Sequence, residues 1–382
     1  MGEKIKTLIV FGTRPEAIKI AKVVKTLKSD PNFELKVVST GQHRQMLDQV
    51  LSLFEIEPDI DLNIMKTSQS LTDITQNVLV GLDRVFQVEK PDIVLVHGDT
   101  STAFSAALSA FYHKLKIGHI EAGLRTYNKS EPFPEEINRR QISQVADLHF
   151  APTQSCKANL LLEGVDPASI FVTGNTVIDA LLDMVEEGYT FNDPVLQNLD
   201  FSKRILLAEV HRRENIENLE NIFASFAEIV EKFSDVELVY SVHPNPVIRE
   251  KAERILKDRP RIHLIAPPAY KEWVNLMKQS FLLLTDSGGL QEEAPALNIP
   301  VLVLRDVTER PEGVRAGTLR LIGADKQKIL ETAADLLSDR AKYEAMCNAK
   351  NPYGDGKAST RIKEALLNYF LLNKKPQDYI VN

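Results

Sequence analysis

The 382-residue sequence contains few cysteines and no long apolar run. Its two cysteines, Cys156 and Cys347, form neither a disulfide framework nor a metal-binding pattern, and we expect both to be packing residues in a reducing cytoplasm. No apolar run approaches the ~18 residues of a membrane-spanning helix. The short run from Leu8 to Phe11 does not make a signal peptide. These absences predict a cytoplasmic protein with no membrane partner.

Positive charge and cofactor motifs are also scarce. The formal net charge of -7 argues against non-specific binding of nucleic acid. It does not exclude an anionic small ligand. Because charges are screened over about 8 Å, nearby Arg and Lys side chains, rather than the net charge, determine whether such a ligand binds. The first glycine turn, at Gly12, is not a GxGxxG turn, and no metal-ligand spacing occurs. We therefore expect no metal, no cofactor and no nucleic-acid partner.

Strand-like and helix-like segments alternate along almost the whole chain. This alternation predicts an α/β protein whose parallel sheets carry helices on both faces. Periodicity is lost in one stretch rich in Asn, Asp and Pro, which we interpret as a linker. The predicted organisation is an N-terminal Rossmann-like domain over 1–187, the linker over 188–202, a C-terminal Rossmann-like domain over 203–358, and a C-terminal helix and tail over 359–382 that packs back on the first domain.

The predicted strands are short, buried runs that each end in a polar turn. Those of the first domain are Thr7–Phe11, Leu35–Ser39, Ile93–Val96, Ile117–Ile120, Leu148–Ala151 and Ile170–Thr173. Those of the second are Ile205–Val210, Val236–Val242, Ile262–Ala266, Phe281–Leu284 and Val301–Leu304, and a charged loop follows the last of them.

The turn after the Phe281–Leu284 strand has the composition of a phosphate-binding turn. Gly288 and Gly289 let the backbone approach a ligand closely, and the helix that follows presents free N–H groups and a positive dipole end. Ser287 adds a hydroxyl, and Glu293 on the first helical turns could reach a sugar hydroxyl. The alternative is a tight turn with a simple Asp or Ser cap.

Other strand ends carry charged and polar residues, and open α/β sheets bind ligands at these ends. The set comprises Arg14, Lys19, Asp99, Glu121 and Glu135 in the first domain and His211, Ser287, Gly288, Glu293 and Arg310 in the second. If the domains face each other across a cleft, the basic groups and the glycine turn grip a diphosphate, and the carboxylates surround what is attached to it. This arrangement predicts proton transfer at a sugar with a nucleoside diphosphate as the leaving group.

Several of the candidate residues also have a purely structural interpretation. Asp99 could be only a helix N-cap, and Glu135 could complement a helix dipole. Tyr270 or Trp273 could stack on a base, although core packing suits either of them. Three single histidines near strand ends are assigned to structure, namely His97, His119 and His149.

Motifs that run in order over nearly the full chain identify a family. They are GTRPEAIK from Gly12, HGDTST from His97, HIEAGLRT from His119, PFPEEINR from Pro132, HRREN from His211, TDSGGLQEEAP from Thr285, TERPEGVRAGT from Thr308 and NPYGDGKAS from Asn351. The chain thereby resembles the bacterial non-hydrolysing UDP-N-acetylglucosamine 2-epimerases. The resemblance implies a glycosyltransferase-B type fold, a homodimer, and interconversion of UDP-GlcNAc and UDP-ManNAc, which supplies ManNAc units for an envelope polysaccharide or teichoic acid.

The resemblance also implies a mechanism and roles for residues. UDP and the C2 proton are eliminated to give a 2-acetamidoglucal, and UDP then adds back with protonation on the other face. The implied catalytic residues are Asp99, Glu121, Glu135 and His211. The residues implied to hold UDP and the sugar are Arg14, Lys19, Trp273, Ser287, Gly288, Gly289, Glu293 and Arg310.

Some family members bind a second, regulatory UDP-GlcNAc. The residues that match that site are Gln42, His43, Gln45, Glu136, Arg212 and His243. However, this chain has Ser68 where the family often carries Arg, and Glu209-Val210 where it usually has Thr-Ala. Because loss of an Arg removes a charge-assisted contact to a diphosphate, the sequence leaves activation by substrate open.

Three other functions remain open at this point. A retaining glycosyltransferase would share the UDP grip but need an acceptor. A hydrolysing epimerase would release free ManNAc. A non-catalytic UDP-sugar sensor would tolerate replacement of the acids at the strand ends.

Overall fold

The computed structural model describes residues 3–41, 44–65, 69–371 and 374–381, without the side chains of 44–46. The chain forms two compact units. The first runs to Asp183 and takes in Tyr353–Ile380, and the second is Met184–Pro352. In the part of the chain that is described, no helix has the length and apolar character needed to cross a membrane.

The first unit is built on a fully parallel, seven-stranded sheet in the order β3-β2-β1-β4-β5-β6-β7. The strands are β1 (Ile5–Phe11), β2 (Phe33–Ser39), β3 (Ile60–Asp61), β4 (Ile93–His97), β5 (Lys116–Ile120), β6 (Leu148–Ala151) and β7 (Ile170–Val172). The strand order reverses between β1 and β4. Such a reversal opens a crevice at the carboxyl ends of the two strands, where doubly wound sheets bind ligands.

Helices connect these strands, and local sequence signals set where they begin. They are α1 (Arg14–Lys28), α2 (Arg44–Leu53), α3 (Leu71–Glu89), α4 (Ser101–Tyr112), α5 (Glu135–Val145), α6 (Gln154–Leu162) and α7 (Thr176–Met184). A capping box between Thr13 and Glu16 starts α1. Because Pro132 and Pro134 disfavour helix before them, α5 begins at Glu135.

The second unit repeats the design with six parallel strands in the order β10-β9-β8-β11-β12-β13, and its reversal lies between β8 and β11. Its elements are α8 (Pro194–Gln197), β8 (Arg204–Glu209), α9 (Leu219–Lys232), β9 (Val236–Ser241), α10 (Pro246–Leu256), β10 (Ile262–Ile265), α11 (Tyr270–Lys278), β11 (Leu282–Thr285), α12 (Leu290–Ala296), β12 (Val301–Val303), α13 (Pro311–Ala316), β13 (Leu319–Leu321), α14 (Lys326–Ser338) and α15 (Arg340–Cys347). Both units are therefore Rossmann-like, which confirms the predicted α/β class.

The last helix, α16 (Ala358–Leu371), belongs to the first unit and packs against α1. The buried carboxylate of Asp179 accepts hydrogen bonds from the backbone N–H groups of Ala358 and Ser359, at 3.1 and 2.8 Å. The tail then runs along β7, where the Tyr379 N–H donates to the Val172 carbonyl at 2.7 Å. The tail thus covers an edge strand that would otherwise present unpaired backbone groups.

Two short strands and a short helix depart from the prediction. The strands β3 and β13 were not predicted, and they extend the two sheets at their edges. The charged loop after β12 contains α13, whose Pro311 occupies the first helical turn. Unlike short strands such as β6 and β12, β3 and β13 are mostly not buried, so they lack the apolar run that marks a buried strand. Helix α13 has six residues, too few for a helical period to show.

Candidate active site

A buried glutamate that the sequence analysis missed fixes the turn between β1 and α1. Glu16 accepts hydrogen bonds from the Gly12 and Thr13 N–H groups at 3.1 and 2.8 Å, and from the Thr100 hydroxyl at 2.7 Å. Burial raises the pKa of this carboxyl group, although the hydrogen bonds oppose the effect. The side chain ties the β1 turn to the β4 turn, the two sides of the strand-order reversal. Arg14, half-buried, begins α1 directly after this turn.

Glu121, a predicted catalytic residue, is held in an unusual backbone conformation. It follows β5 with a φ of 64°, in the left-handed region that costs a non-glycine residue roughly 1–2 kcal/mol. Its Oε2 atom accepts from the Nζ of Lys19 at 2.5 Å and from the Nδ2 of Asn175 at 2.9 Å. Burial alone would raise the pKa of Glu121, but the charges of Lys19 and His97 and these hydrogen bonds lower it to about 2.

The pKa of Asp99 is shifted in the opposite direction to that of Glu121. Asp99 lies in the turn after β4, where Arg139 Nη1 is 3.3 Å from its Oδ2 and Asn138 Nδ2 donates to its carbonyl at 2.9 Å. Burial and the negative charge of Glu121 raise the pKa of Asp99 to about 6. Glu135, the first residue of α5, adds to this rise through its own charge. Unit 1 therefore brings together two carboxyl groups whose pKa values are pushed far apart.

Glu136, which matches the regulatory site of the family, is engaged within its own unit. Its carboxylate is fully buried and accepts from the Thr126 and Tyr127 N–H groups at 3.0 and 3.1 Å. Arg139 Nε also donates to it, at 2.9 Å. Against the effect of burial, these hydrogen bonds lower the pKa of Glu136. The side chain holds the loop before α5 and places Arg139 beside Asp99.

The three histidines near strand ends are buried, as a structural role requires. His119 Nε2 lies 2.7 Å from the Gly98 carbonyl, and His149 Nε2 lies 3.1 Å from the Ser143 carbonyl. Burial lowers the pKa of His97 to about 4 and that of His119 to about 3. These rings are therefore neutral at physiological pH.

In unit 2, the turn after β8 is held by a buried carboxylate. Asp286 accepts hydrogen bonds from the His211 and Arg212 N–H groups, both at 3.0 Å, and from Asn215 Nδ2 at 2.9 Å. The His211 side chain bonds instead to Glu209 through its Nδ1 atom. Asp286 appears in the sequence motifs only as the second residue of TDSGGLQEEAP and was given no role of its own. Like Glu121, Asp286 directly follows a buried strand, and this position could have marked it as a candidate in the sequence.

Two guanidinium groups flank the glycine turn after β11. A Cβ atom placed on Gly288 would lie 3.5 Å from Arg212 Nη2 and 3.9 Å from Arg310 Cζ. Arg310 is oriented by Glu292, whose Oε1 accepts from its Nε at 2.6 Å. The Ser287 N–H donates to the Thr285 hydroxyl at 3.0 Å, and Glu293 lies one turn into α12. Predicted Ser287, Gly288 and Arg310 therefore lie together, with Arg212 beside them.

The remaining predicted residues fall in different places. Trp273 is half-buried on α11, whereas Tyr270 on the same helix is buried. The rings of His243 and His211 stack with their centroids 5.7 Å apart. Gln42, His43 and Ser68 lie outside the described residues, as does the Gln45 side chain.

One group in the described part of the chain has the spacing of metal ligands: Glu209, His211 and Asp286, with ligand atoms within 4.8 Å of one another. Hydrogen bonds already occupy these atoms. His211 Nδ1 is bonded to Glu209, and the Asp286 oxygens take three N–H groups. The group is accordingly a hydrogen-bonded cluster, and the prediction of no metal stays a prediction.

Comparison with known proteins identifies the family. A family profile described as UDP-N-acetylglucosamine 2-epimerase matches residues 25–367. The UDP-N-acetylglucosamine 2-epimerase of Bacillus subtilis strain 168 is 55% identical over 377 residues, which cover 98% of each chain. The chain therefore belongs to the UDP-N-acetylglucosamine 2-epimerase family, as its motifs indicated.

Solved structures agree with this assignment. A 2.2 Å crystal structure of a Listeria monocytogenes protein matches with a TM-score of 0.95 and 52% identity, covering 99% of this chain and 100% of that one. The Neisseria meningitidis UDP-GlcNAc 2-epimerase, solved with UDP-GlcNAc bound, matches with a TM-score of 0.84 and 49% identity over 95% of this chain and 100% of that one. A glycosyltransferase of kitacinnamycin, 10% identical with a TM-score of 0.62, shares the fold. The fold is thus of the glycosyltransferase-B type.

Proposed function

We propose that this protein interconverts UDP-GlcNAc and UDP-ManNAc by inverting C2 of the sugar without hydrolysis. The observation that carries the proposal is the pair of carboxyl groups, Asp99 and Glu121, with pKa values of about 6 and about 2. Two acids with separated pKa values give one group that gains or loses a proton near neutral pH and one that stays ionised. The family to which the chain belongs supports the same substrate and reaction.

The proposed reaction has two halves. First, a carboxylate takes the C2 proton, and the electron pair of the C2–H bond forms the C1=C2 double bond of 2-acetamidoglucal. The C1–O bond breaks at the same time, and its electron pair leaves with UDP. Then UDP adds back to C1 while a second acid delivers a proton to the other face of C2. In this proposal Asp99, Glu121, Glu135 and His211 form the catalytic group.

The glycine turn and its two guanidinium groups suit the diphosphate. Gly288 and Gly289 do not have positive φ values, and a Cβ on either would meet only ordinary contacts of 3.5 Å or more. The packing of this chain therefore gives no reason for glycine there, whereas close approach of a ligand does. Arg212 and Arg310 supply the charge-assisted hydrogen bonds that a diphosphate needs. In the proposal, Arg14, Lys19, Trp273, Ser287 and Glu293 complete the contacts to UDP and sugar.

The test is NMR of UDP-GlcNAc with the protein in D2O. We expect UDP-ManNAc to appear without any acceptor, and deuterium to enter C2. Epimerisation that leaves the C2 proton in place would refute the elimination route. Free ManNAc would indicate a hydrolysing enzyme, and turnover only with an acceptor would indicate a glycosyltransferase. Glu121→Gln should slow the reaction by roughly 10²–10⁴-fold, whereas Glu253→Gln, on an exposed surface, serves as its matched control.

The proposal includes a homodimer that works in the cytoplasm and supplies ManNAc units for an envelope polysaccharide or teichoic acid. Helices α3 and α4 of unit 1 expose Val80, Val88, Phe111 and Tyr112, with 49%, 77%, 53% and 67% of their surfaces accessible. Exposed large apolar side chains are a feature of interfaces between protein chains, and these four lie on two helices that pack against each other. The free thiols of both cysteines fit a reducing compartment. Sedimentation velocity should give twice the 42.9 kDa chain mass, and a monomer would contradict the dimer.

A further inference from the structure

Glu209 is the last residue of β8, and its position in the strand directs it toward His211. Residues two apart on an extended chain point to the same side. Between them, Val210 turns the other way and is fully buried in the core of unit 2. The spacing of the three residues therefore places a carboxylate and an imidazole side by side where the strand ends.

Both oxygens of the Glu209 carboxylate are engaged. Oε1 is hydrogen-bonded to the Nδ1 atom of His211, and Oε2 accepts from the Thr285 hydroxyl at 3.3 Å. Thr285 is itself fully buried at the end of β11. The neighbouring strand thus fixes the carboxylate, which can in turn fix the ring.

Asp286 does not replace Glu209 in this role. Its nearest oxygen is 3.7 Å from His211 Nδ1, beyond hydrogen-bonding distance. Its carboxylate instead accepts the backbone N–H groups of His211 and Arg212. One acid therefore holds the backbone of the turn, and the other holds the imidazole.

We propose that Glu209 is a positioning residue for His211: it accepts the Nδ1–H, fixes that tautomer and ring orientation, and leaves Nε2 as the nitrogen that meets the ligand. The partner of one ring nitrogen determines what the other nitrogen can do. The proposal rests on the proposed function for the catalytic role of His211. The Glu209–His211 pair itself depends only on contacts within unit 2.

The charged groups around the ring act together with Glu209. The hydrogen bond to Glu209 raises the pKa of His211, burial opposes it, and the charge of Asp286 adds to the rise while that of Arg212 lowers it. The His243 ring stacks on His211, and its Nδ1 accepts from the Asn245 N–H at 3.1 Å. Tyr240 stays neutral, since burial and the two carboxylates raise its pKa. The pair therefore favours a protonated His211, which suits a departing diphosphate.

Two substitutions separate the charge of Glu209 from its hydrogen bond. Glu209→Gln removes the charge but keeps an acceptor oxygen, whereas Glu209→Ala removes both. The probe is the His211 imidazole in 15N-labelled protein, assigned among the eight histidines with a His211→Gln variant. We expect Glu209→Gln to lower the pKa of His211 and keep the Nδ1–H tautomer. Glu209→Ala should lower the pKa and lose the tautomer.

Kinetics supply a second measurement. Both variants should lower kcat by about 10-fold or more with a much smaller change in KM, as loss of an orienting partner does. The basic limb of the kcat profile should move to lower pH. Glu253→Gln, whose carboxylate accepts from Arg249 on an exposed helix face, should behave as wild type.

The outcomes are distinct. If His211 titrates at the same pH and as the same tautomer in wild type and both variants, Glu209 does not position it, and the proposal is wrong. Wild-type protein that leaves UDP-GlcNAc unchanged would overturn the proposed function, whereas the imidazole titration would still decide whether Glu209 controls His211. Because Glu209→Gln is nearly isosteric, a folding defect in Glu209→Ala leaves the test intact.

Discussion

The Lys19–Glu121 pair makes a quantitative prediction for Lys19→Met. The pKa of Glu121 is about 2 in the folded protein, against an ordinary value of 4.5. Since each pKa unit corresponds to about 1.36 kcal/mol, ionised Glu121 stabilises the fold by about 3 kcal/mol at neutral pH. Lys19 makes the largest contribution to lowering that pKa. We expect Lys19→Met to lower the free energy of unfolding by about 2–3 kcal/mol at pH 7.

The loss should depend on pH in a defined direction. Because the folded pKa of Glu121 lies below its unfolded value, the stabilisation is complete above about pH 4.5 and is lost as the pH falls toward about 2. The difference between wild type and Lys19→Met should shrink across that window. Urea titrations at pH 7, 5 and 3 measure it.

Lys22→Met is the matched control. Lys22 lies on the same helix, and its Nζ is also 2.5 Å from a carboxylate, that of Asp183. However, the Lys22 and Asp183 side chains are 37% and 24% exposed, against 24% and 8% for Lys19 and Glu121. Exposed pairs contribute about 0–1 kcal/mol. Equal losses in the two variants, or a Lys19→Met deficit as large at pH 3 as at pH 7, would refute the reasoning.

Two further predictions concern a carboxyl group and a glycine. The folded pKa of Asp99, about 6, lies above its ordinary 3.8, so the stability it contributes below pH 3.8 is lost as the pH rises through 6. Asp99→Asn should therefore be about 2–3 kcal/mol more stable than wild type at pH 8 and nearly equal to it in stability at pH 4, while its proposed catalytic role predicts loss of activity. Urea titrations that show no gain in stability at pH 8 would contradict this. At Gly123, with φ 91°, a Cβ would lie 2.3 Å from the Cys156 carbonyl oxygen, so Gly123→Ala should cost roughly 2–4 kcal/mol. Gly164→Ala, with φ 81° and open space around it, should cost only the backbone strain of roughly 1–2 kcal/mol, and equal thermal shifts would exclude the steric explanation.

The sequence predicted the strands well because most are long enough to show a buried run. Predicted Leu148–Ala151 is β6 itself, and predicted Ile93–Val96 differs from β4 by one residue. The edge strands β3 and β13 were missed because they are mostly not buried and show no apolar run, and helix α13 was missed because six residues are too few to show a helical period. These elements are stabilised by contacts with distant parts of the chain, and such contacts are not visible in a local sequence pattern.

The candidate site was predictable where chemistry coincides with a strand end. Glu121 was recognised because a charge directly after a buried strand is unusual. Its partner Asn175, 54 residues further on, and Arg139, which reaches Asp99 from 40 residues away, could not be assigned from spacing alone. Glu209 was noticed only as a departure from the family. The Glu-x-His spacing at the end of a predicted strand was sufficient to suggest the pair, since alternate residues share a face.

The same topological position carries a different set of charged side chains in each of the two units. In each, turns that carry candidate site residues follow the two strands at the reversal of strand order: β1 and β4 in unit 1, β8 and β11 in unit 2. In unit 1 that position presents the carboxyl groups of Asp99 and, one strand further, Glu121, while Arg14 and Lys19 lie on the helix after β1. In unit 2 the same position presents two guanidinium groups beside a glycine turn, and such an arrangement favours binding of an anion. The fold fixes where the strands end, and a few charged side chains at those ends give each unit its own electrostatic character.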